Sequence, residues 1–216
     1  GIASTVQVDP SGGFSLVKYS GTRSASTVGH GLSSAPTWIF AKRYDASASW
    51  VIYTTFMTAH YYMTIDAGGM GADSSMWNNT NSTSSVFSVG TATNTNGGTM
   101  LAYCWANVEG YIKSGSYEGN GNADGTFVYT GFRPAFIICK SIDSGTSYQL
   151  FDDKRVGYNV DNNSVLVDTN DAEATADMID ILSNGFKFRI ATDPNIAETY
   201  IYLAIAKNPF KYATAR

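Results

Sequence analysis

The feature that most constrains this chain is a stretch that occurs twice. Residues 35–42 read Ala-Pro-Thr-Trp-Ile-Phe-Ala-Lys, and residues 133–140 read Arg-Pro-Ala-Phe-Ile-Ile-Cys-Lys. Pro134 lies 98 positions after Pro36, and the same offset runs without a gap from Tyr19 and Tyr117 to Tyr53 and Phe151. Identities on it are Tyr19/Tyr117, Gly21/Gly119, Ala25/Ala123, Pro36/Pro134, Ile39/Ile137, Lys42/Lys140, Asp45/Asp143 and Ser49/Ser147. Conservative pairs such as Trp38/Phe136 and Trp50/Tyr148 fill the gaps, and the match resumes with small shifts at Phe87/Phe186, Thr99/Thr199 and Ala106/Ala206. A tandem duplication of a unit of about a hundred residues follows.

The residues of that unit are strand formers separated by turn formers. The chain is rich in Gly, Ser, Thr, Asn, Tyr and Val and poor in Leu, Glu and Lys, which disfavours helices. Strands are expected at 14–19, 26–28, 37–42, 50–56, 86–89 and 100–108, with 61–65 a further candidate, and again at 112–117, 126–130, 135–140, 148–151, 186–190 and 200–206. Residues 37–42 and 135–140 are apolar on both parities, as in strands covered on both faces. Residues 66–85 read as a long surface loop holding Met76 and Trp77, and 171–182 is the single helical candidate. About six strands per unit imply an all-β fold, a jelly-roll or concanavalin-like β-sandwich. A single sandwich over 13–216, with internal repeats at 13–108 and 111–208, is expected because residues 107–111 form no flexible linker.

One strand stands outside the repeat. In residues 1–9, Ile2, Ser4, Val6 and Val8 share one parity, and Pro10-Ser11-Gly12-Gly13 then breaks the chain. A lone strand needs a sheet edge. Residues 1–12 are therefore a candidate donor strand and spacer, with Ile2, Ser4, Val6 and Val8 completing the sheet of a second copy and propagating a head-to-tail filament. The other outcome is that the strand folds back on its own sandwich.

Chemistry-bearing residues are sparse. Charged residues make up 15%, the net charge is −4 and no Lys/Arg run exists, so nucleic acid is not an expected partner. No apolar run approaches the ~20 residues of a membrane span. His30 sits between two glycines and His60 precedes Tyr61, and neither has a visible nucleophile or metal partner set. Glu109, Glu118, Glu173 and Glu198 include no paired-acid motif. The cluster Asp152, Asp153, Asp161, Asn162, Asn163, Asp168 and Asp171 is the best place for calcium but lacks EF-hand spacing and reads as a solvated loop. Cys104 and Cys139 read as buried thiols, with spacing that leaves a disulfide undecided. No catalytic residue, cofactor or metal is therefore expected. Trp77, Tyr61 and Tyr62 are candidates to stack on sugar rings, whereas Trp38, Trp50, Tyr103, Trp105, Tyr200 and Tyr202 read as core. Sequons make Asn78, Asn81 and Asn162 candidate glycosylation acceptors. Low Lys with abundant Ser, Thr and Asn suits an extracellular surface, and a chain starting at Gly1 fits a processed mature protein or an expression scar.

Several stretches together carry a resemblance. They are Thr27-Val28-Gly29-His30-Gly31-Leu32 with Ala35-Pro36, and residues 102–111 (Ala-Tyr-Cys-Trp-Ala-Asn-Val-Glu-Gly-Tyr). Residues 127–134 (Phe-Val-Tyr-Thr-Gly-Phe-Arg-Pro), Ser183-Asn184-Gly185-Phe186-Lys187, and Tyr200-Ile201-Tyr202 with Asn208-Pro209-Phe210 complete them. Over residues 13–216 the chain resembles an uncharacterised family found in phage tail-fibre and other virion-associated proteins and in environmental bacterial sequences. The resemblance implies a β-sandwich displayed on an extracellular or virion fibre and carries over no catalytic residue. The expected function is a non-enzymatic structural subunit of an extracellular filament that assembles with itself. The alternative is a phage tail-fibre or lectin-like module that binds a cell-surface glycan.

Overall fold

Alternation of inward and outward side chains builds both repeats. The computed structural model describes residues 1–66, 68–155 and 163–209. The chain falls into two compact units, Gly1–Val108 and Glu109–Arg216, each with its own core.

The first unit contains β1 (Ser4–Val8), β2 (Phe14–Ser20), β3 (Ser26–Gly29), β4 (Trp38–Arg43), β5 (Val51–Thr54), β6 (Tyr61–Thr64), β7 (Gly71–Ala72), helix α1 (Ser74–Trp77), β8 (Val86–Val89) and β9 (Thr99–Trp105). Its large antiparallel sheet runs β1-β2-β9-β4-β5-β6-β7, and a small sheet pairs β3 with β8. Val17, Tyr19, Ile39, Ala41, Ala102 and Cys104 of the large sheet share a core with Val28, Phe87 and Val89 of the small one. This is sandwich packing, with one face of each strand turned inward.

The second unit contains β10 (Ile112–Glu118), β11 (Phe127–Tyr129), β12 (Pro134–Ser141), β13 (Gln149–Asp152), β14 (Val165–Leu166), β15 (Ile179–Leu182), β16 (Gly185–Phe188) and β17 (Thr199–Ala206). The large sheet runs β10-β17-β12-β13-β14 and the small one β11-β16-β15. The order β2-β9-β4-β5-β6 of the first unit is repeated as β10-β17-β12-β13-β14, and β3-β8 as β11-β16. The sequence repeat is thus a repeat of sheet positions. Trp38, Ile39 and Ala41 are buried, as are Ile137, Ile138 and Cys139, which agrees with the double apolar parity of these strands.

The identities on the diagonal have matching jobs. Lys42 Nζ stands 5.5 Å from the Trp50 ring centroid, and Lys140 Nζ 5.8 Å from that of Tyr148. A carboxylate oxygen of Asp45 accepts from the Thr99 N–H at 2.9 Å, and one of Asp143 from the Thr199 N–H at 2.7 Å. Tyr19 Oη donates to Thr93 O at 2.8 Å, and Tyr117 Oη to Pro194 O at 2.9 Å. Gly21 and Gly119 allow the closest approach. A Cβ on Gly21 would lie 1.9 Å from Thr95 O, and one on Gly119 1.9 Å from Ile196 O. Beside each glycine sits a fully buried asparagine, Asn94 or Asn195, that binds the turn following β2 or β10.

The leading strand pairs within its own chain, which overturns the expected donation of Ile2, Ser4, Val6 and Val8 to a second copy. β1 lies antiparallel to β2, from Ser4 opposite Tyr19 to Val8 opposite Ser15. Ile2 forms a parallel bridge to Val28 of β3. The reason is the turn at residues 9–13. Asp9 N–H donates to Phe14 O at 2.9 Å, Gly12 N–H donates to Asp9 O at 2.8 Å, and Gly12 takes φ +72°. That left-handed glycine reverses the chain, so the spacer makes a hairpin. Ile2 and Val6 then pack on the first core, while Val8 stays exposed. Deleting residues 1–8 is expected to lower the stability of the first unit by about 3 kcal/mol, from lost ladder bonds and burial. Urea unfolding checks this, and unchanged stability would contradict it.

Two local expectations also change. Residues 171–182 form no helix. Their end is β15, whose Ile179 and Ile181 turn inward against Phe188 and Phe186 of β16. Period-two burial overrides the helix-favouring Ala and Glu residues here. The expected loop over 66–85 carries β7 and α1 instead. Asp73 caps α1 by accepting from the Ser75 N–H at 2.8 Å, and Asn78 closes it at φ 53°.

Candidate recognition surface

The small sheet of the second unit has a clean alternation. Val128, Ile179, Ile181, Phe186 and Phe188 point into the core. Phe127 and Tyr129 point outward and are 46% and 63% exposed. Among the described residues β11 is an edge strand, paired only to β16 through Phe127 opposite Lys187, Val128 opposite Phe186 and Tyr129 opposite Gly185. The floor around the rings is glycine. A Cβ on Gly185 would come within 3.2 Å of Phe127 Cε2, and one on Gly131 within 3.7 Å of Tyr129 Oη. Gly131 also takes φ +85°, which a side chain would strain.

Polar groups ring this floor. Lys187 Nζ pairs with Asp124 at 2.6 Å, and the Arg189 guanidinium pairs with Asp180. Binding to Lys187 holds the Asp124 carboxyl below its ordinary value. Asn184 is exposed in the turn between β15 and β16, where its backbone carbonyl accepts from the Thr130 and Gly131 N–H groups.

The duplicate of this edge in the first unit is closed. Val28 and Val128 hold the same place, so the gapless 98-residue offset expected over 19–53 is interrupted here by a slip of about two residues, and Thr27 and Gly29 correspond to Phe127 and Tyr129. Thr27 O accepts from the Ile2 N–H at 2.7 Å, and Gly29 O accepts from Ser4 Oγ at 2.9 Å. On β11 the ladder bonds at Thr126–Phe188 and Thr130–Asn184 set the alternation that turns the peptide groups of Phe127 and Tyr129 away from β16. No described residue bonds them. The first copy therefore fills its edge with its own leading segment, and among the described residues of the second the edge is open beside two aromatic rings.

Of the sugar-stacking candidates from the sequence, Trp77 is overturned. It is 1% exposed, sits in the first core and meets the Tyr53 ring edge-on with centroids 5.5 Å apart. Apolar burial behind the Asp73 cap outweighs the polar composition of its surroundings. Tyr61 and Tyr62 are half-buried, and the Tyr62 ring lies across Gly71, where a Cβ would be 2.7 Å from Cε1. Asn78 and Asn81 are exposed, and Asn162 lies outside the described residues. Sequence reasoning missed Phe127 and Tyr129 as a site. The available signal was the contrast of Phe-Val-Tyr with Thr-Val-Gly at the corresponding place of the first repeat.

The remaining candidates have structural contacts. His30 is fully buried; its Nδ1 accepts from the Leu32 N–H at 3.1 Å, so Nε2 carries the proton and donates to Thr83 O at 3.0 Å. Burial lowers its pKa below the ordinary 6.5, partly offset by the Thr83 bond. In the window just under pH 6.5 the unfolded chain binds a proton that the folded chain does not, so stability falls as pH falls. Thr130 occupies the matching place in the second unit and takes the Phe132 N–H on its hydroxyl. His30→Thr is therefore expected to fold and to flatten the loss of melting temperature below pH 6.5. An equal pH slope in both proteins would contradict this.

His60 is exposed, with Nδ1 3.1 Å from Asn79 Oδ1. Cys104 and Cys139 are free thiols in separate cores, both pushed up to about 12 by burial. Asp153 pairs with Lys207 and Lys154, and Asp152 with Arg155. Asp161 and Asn162 lie outside the described residues, among which no group of three or more His, Cys, Asp or Glu stands together.

A family model described as a domain of unknown function (DUF7483) matches residues 1–209, and the chain belongs to that family. No curated protein and no solved structure matches the chain.

Proposed function

We propose that this DUF7483 domain is a non-enzymatic recognition module of an extracellular or virion-surface assembly, and that it holds a glycan on the outward face of β11-β16-β15. The carrying observation is the pair Phe127 and Tyr129, exposed on an edge strand whose duplicate is closed by the chain's own leading segment. An open edge with bulky apolar side chains invites unwanted pairing, and proteins normally blunt such edges with charge. β10 follows that rule, with Lys113 exposed on its core-facing parity, opposite Ala204. β11 carries no charge at all. Exposed rings beside amide, ammonium and carboxylate groups suit the apolar face and hydroxyls of a sugar.

The non-enzymatic part is supported by the structural engagement of His30 and by thiols held protonated in the cores. The surface setting is supported by the exposed sequon asparagines Asn78 and Asn81 and by the resemblance to virion-associated sequences. A fibre is then what carries the module, and the leading strand is not the element that polymerises it. A glycan array with the wild type and Tyr129→Ala tests the reading. Hits that weaken by about tenfold in the variant are expected, the loss of roughly one stacking contact. Silence across the array, or hits untouched by the substitution, would refute it.

A further inference from the structure

Resting on that recognition reading, we infer that the ligand is an uncharged oligosaccharide, stacked on Phe127 and Tyr129 and hydrogen-bonded through its hydroxyls to the outward peptide groups of the same two residues. Three observations carry this to a ligand class.

The first is the duplicate edge. The carbonyl corresponding to Tyr129 O is Gly29 O, and its partner is a hydroxyl, Ser4 Oγ, at 2.9 Å. The carbonyl corresponding to Phe127 O is Thr27 O, which takes the Ile2 N–H at 2.7 Å. The geometry of this edge thus accepts a hydroxyl donor at one of the two carbonyls, and sugars supply such donors in rows.

The second is charge. The two cations on the outward face are already neutralised, Lys187 by Asp124 and Arg189 by Asp180. Arg133 nearby donates Nη1 to Ile181 O at 3.0 Å. The chain as a whole carries −4. A carboxylated or sulfated glycan would find Lys187 and Arg189 already held by carboxylates, Arg133 turned to a backbone carbonyl, and a weakly repulsive overall field, which favours a neutral ligand.

The third is spacing. Residues two apart on one strand face stand about 7 Å from each other. Two rings at that separation reach beyond one pyranose, which favours a chain of sugars over a monosaccharide. Glycine at 185 and 131 leaves room for the two rings beside the backbone.

Calorimetry on the full chain tests this with four probes: cellohexaose and chitohexaose as neutral oligomers, hexagalacturonate and a heparin hexasaccharide as anionic ones. Binding of a neutral probe is expected, unchanged when salt is raised about tenfold, because no net charge pairing is involved. Phe127→Ala and Tyr129→Ala should each weaken it by about tenfold, and Tyr129→Phe should keep it, since the ring and not the hydroxyl makes the stack. Melting curves check that the substitutions leave the fold intact, as expected at exposed positions. Binding of the anionic probes alone would overturn the inference and leave the recognition reading standing. Neutral binding that survives both alanine substitutions would overturn the site. No binding of any probe, with an array that is also silent, would overturn the reading and the inference together.

Discussion

Asn195→Ala is expected to lower the stability of the second unit by about 4 kcal/mol, one of the largest losses available from a single polar side chain here. Asn195 is fully buried. Its Oδ1 accepts from the Asn120 and Thr126 N–H groups, each at 3.3 Å. Its Nδ2 donates to Ile190 O at 2.7 Å and to Asn122 O and Asn120 Oδ1 at 2.9 Å. Truncation removes five bonds at a partly buried turn, and each polar group left unpaired there costs about 1 kcal/mol or more. The asparagine also fixes the turn that lets Gly119 approach Ile196 O. Asn94→Ala in the first unit should cost about 3 kcal/mol, because Asn94 makes three side-chain bonds, to the Thr22 N–H, Thr22 Oγ1 and Ser24 O. Urea unfolding followed by fluorescence measures both. A loss under about 1 kcal/mol for Asn195→Ala would mean that the turn holds itself.

Trp77→Ala is expected to cost about 4 kcal/mol in the first unit and to leave glycan binding unchanged. The ring is fully enclosed, against Tyr53 and within the cluster that contains Phe87 and Val89. Its removal leaves a cavity that the capped turn of α1 cannot collapse into freely, since Met76 O and Ser75 O of that turn accept backbone bonds from Gly90 and Ala92. Thermal unfolding and calorimetry with the neutral oligomers read the two effects separately. Lost binding in a folded Trp77→Ala protein would move the site to the first unit and contradict the assignment to β11.

The repeat was legible because its identities are positions where geometry admits one residue type. Gly21 and Gly119 face a carbonyl too near for any Cβ, and Tyr19 and Tyr117 span the same gap to a loop carbonyl. Asn94 and Asn195 escaped notice although they anchor the same turns. They stand 101 positions apart, after the offset has drifted, so the diagonal that exposes the glycines does not pass through them. The period of the leading strand was legible and its partner was not. Parity places Ile2, Ser4, Val6 and Val8 on one face, but the choice of edge depends on the turn at Gly12. For residues 179–182 the decisive term is pairing with Gly185–Phe188, a contact that composition does not encode. Phe127 and Tyr129 were visible as letters of a motif. Their role depends on knowing that β11 is an edge and that its duplicate is occupied.

The most direct test of the account is amide chemical-shift mapping of the full chain during titration with a neutral oligosaccharide. The expected result is that shifts concentrate on residues 124–131 and 183–189, with Phe127 and Tyr129 among the largest, while β1 and β3 stay unmoved. Shifts centred on residues 60–81 of the first unit, or spread without a focus, would contradict the assignment of recognition to the open edge of the second repeat.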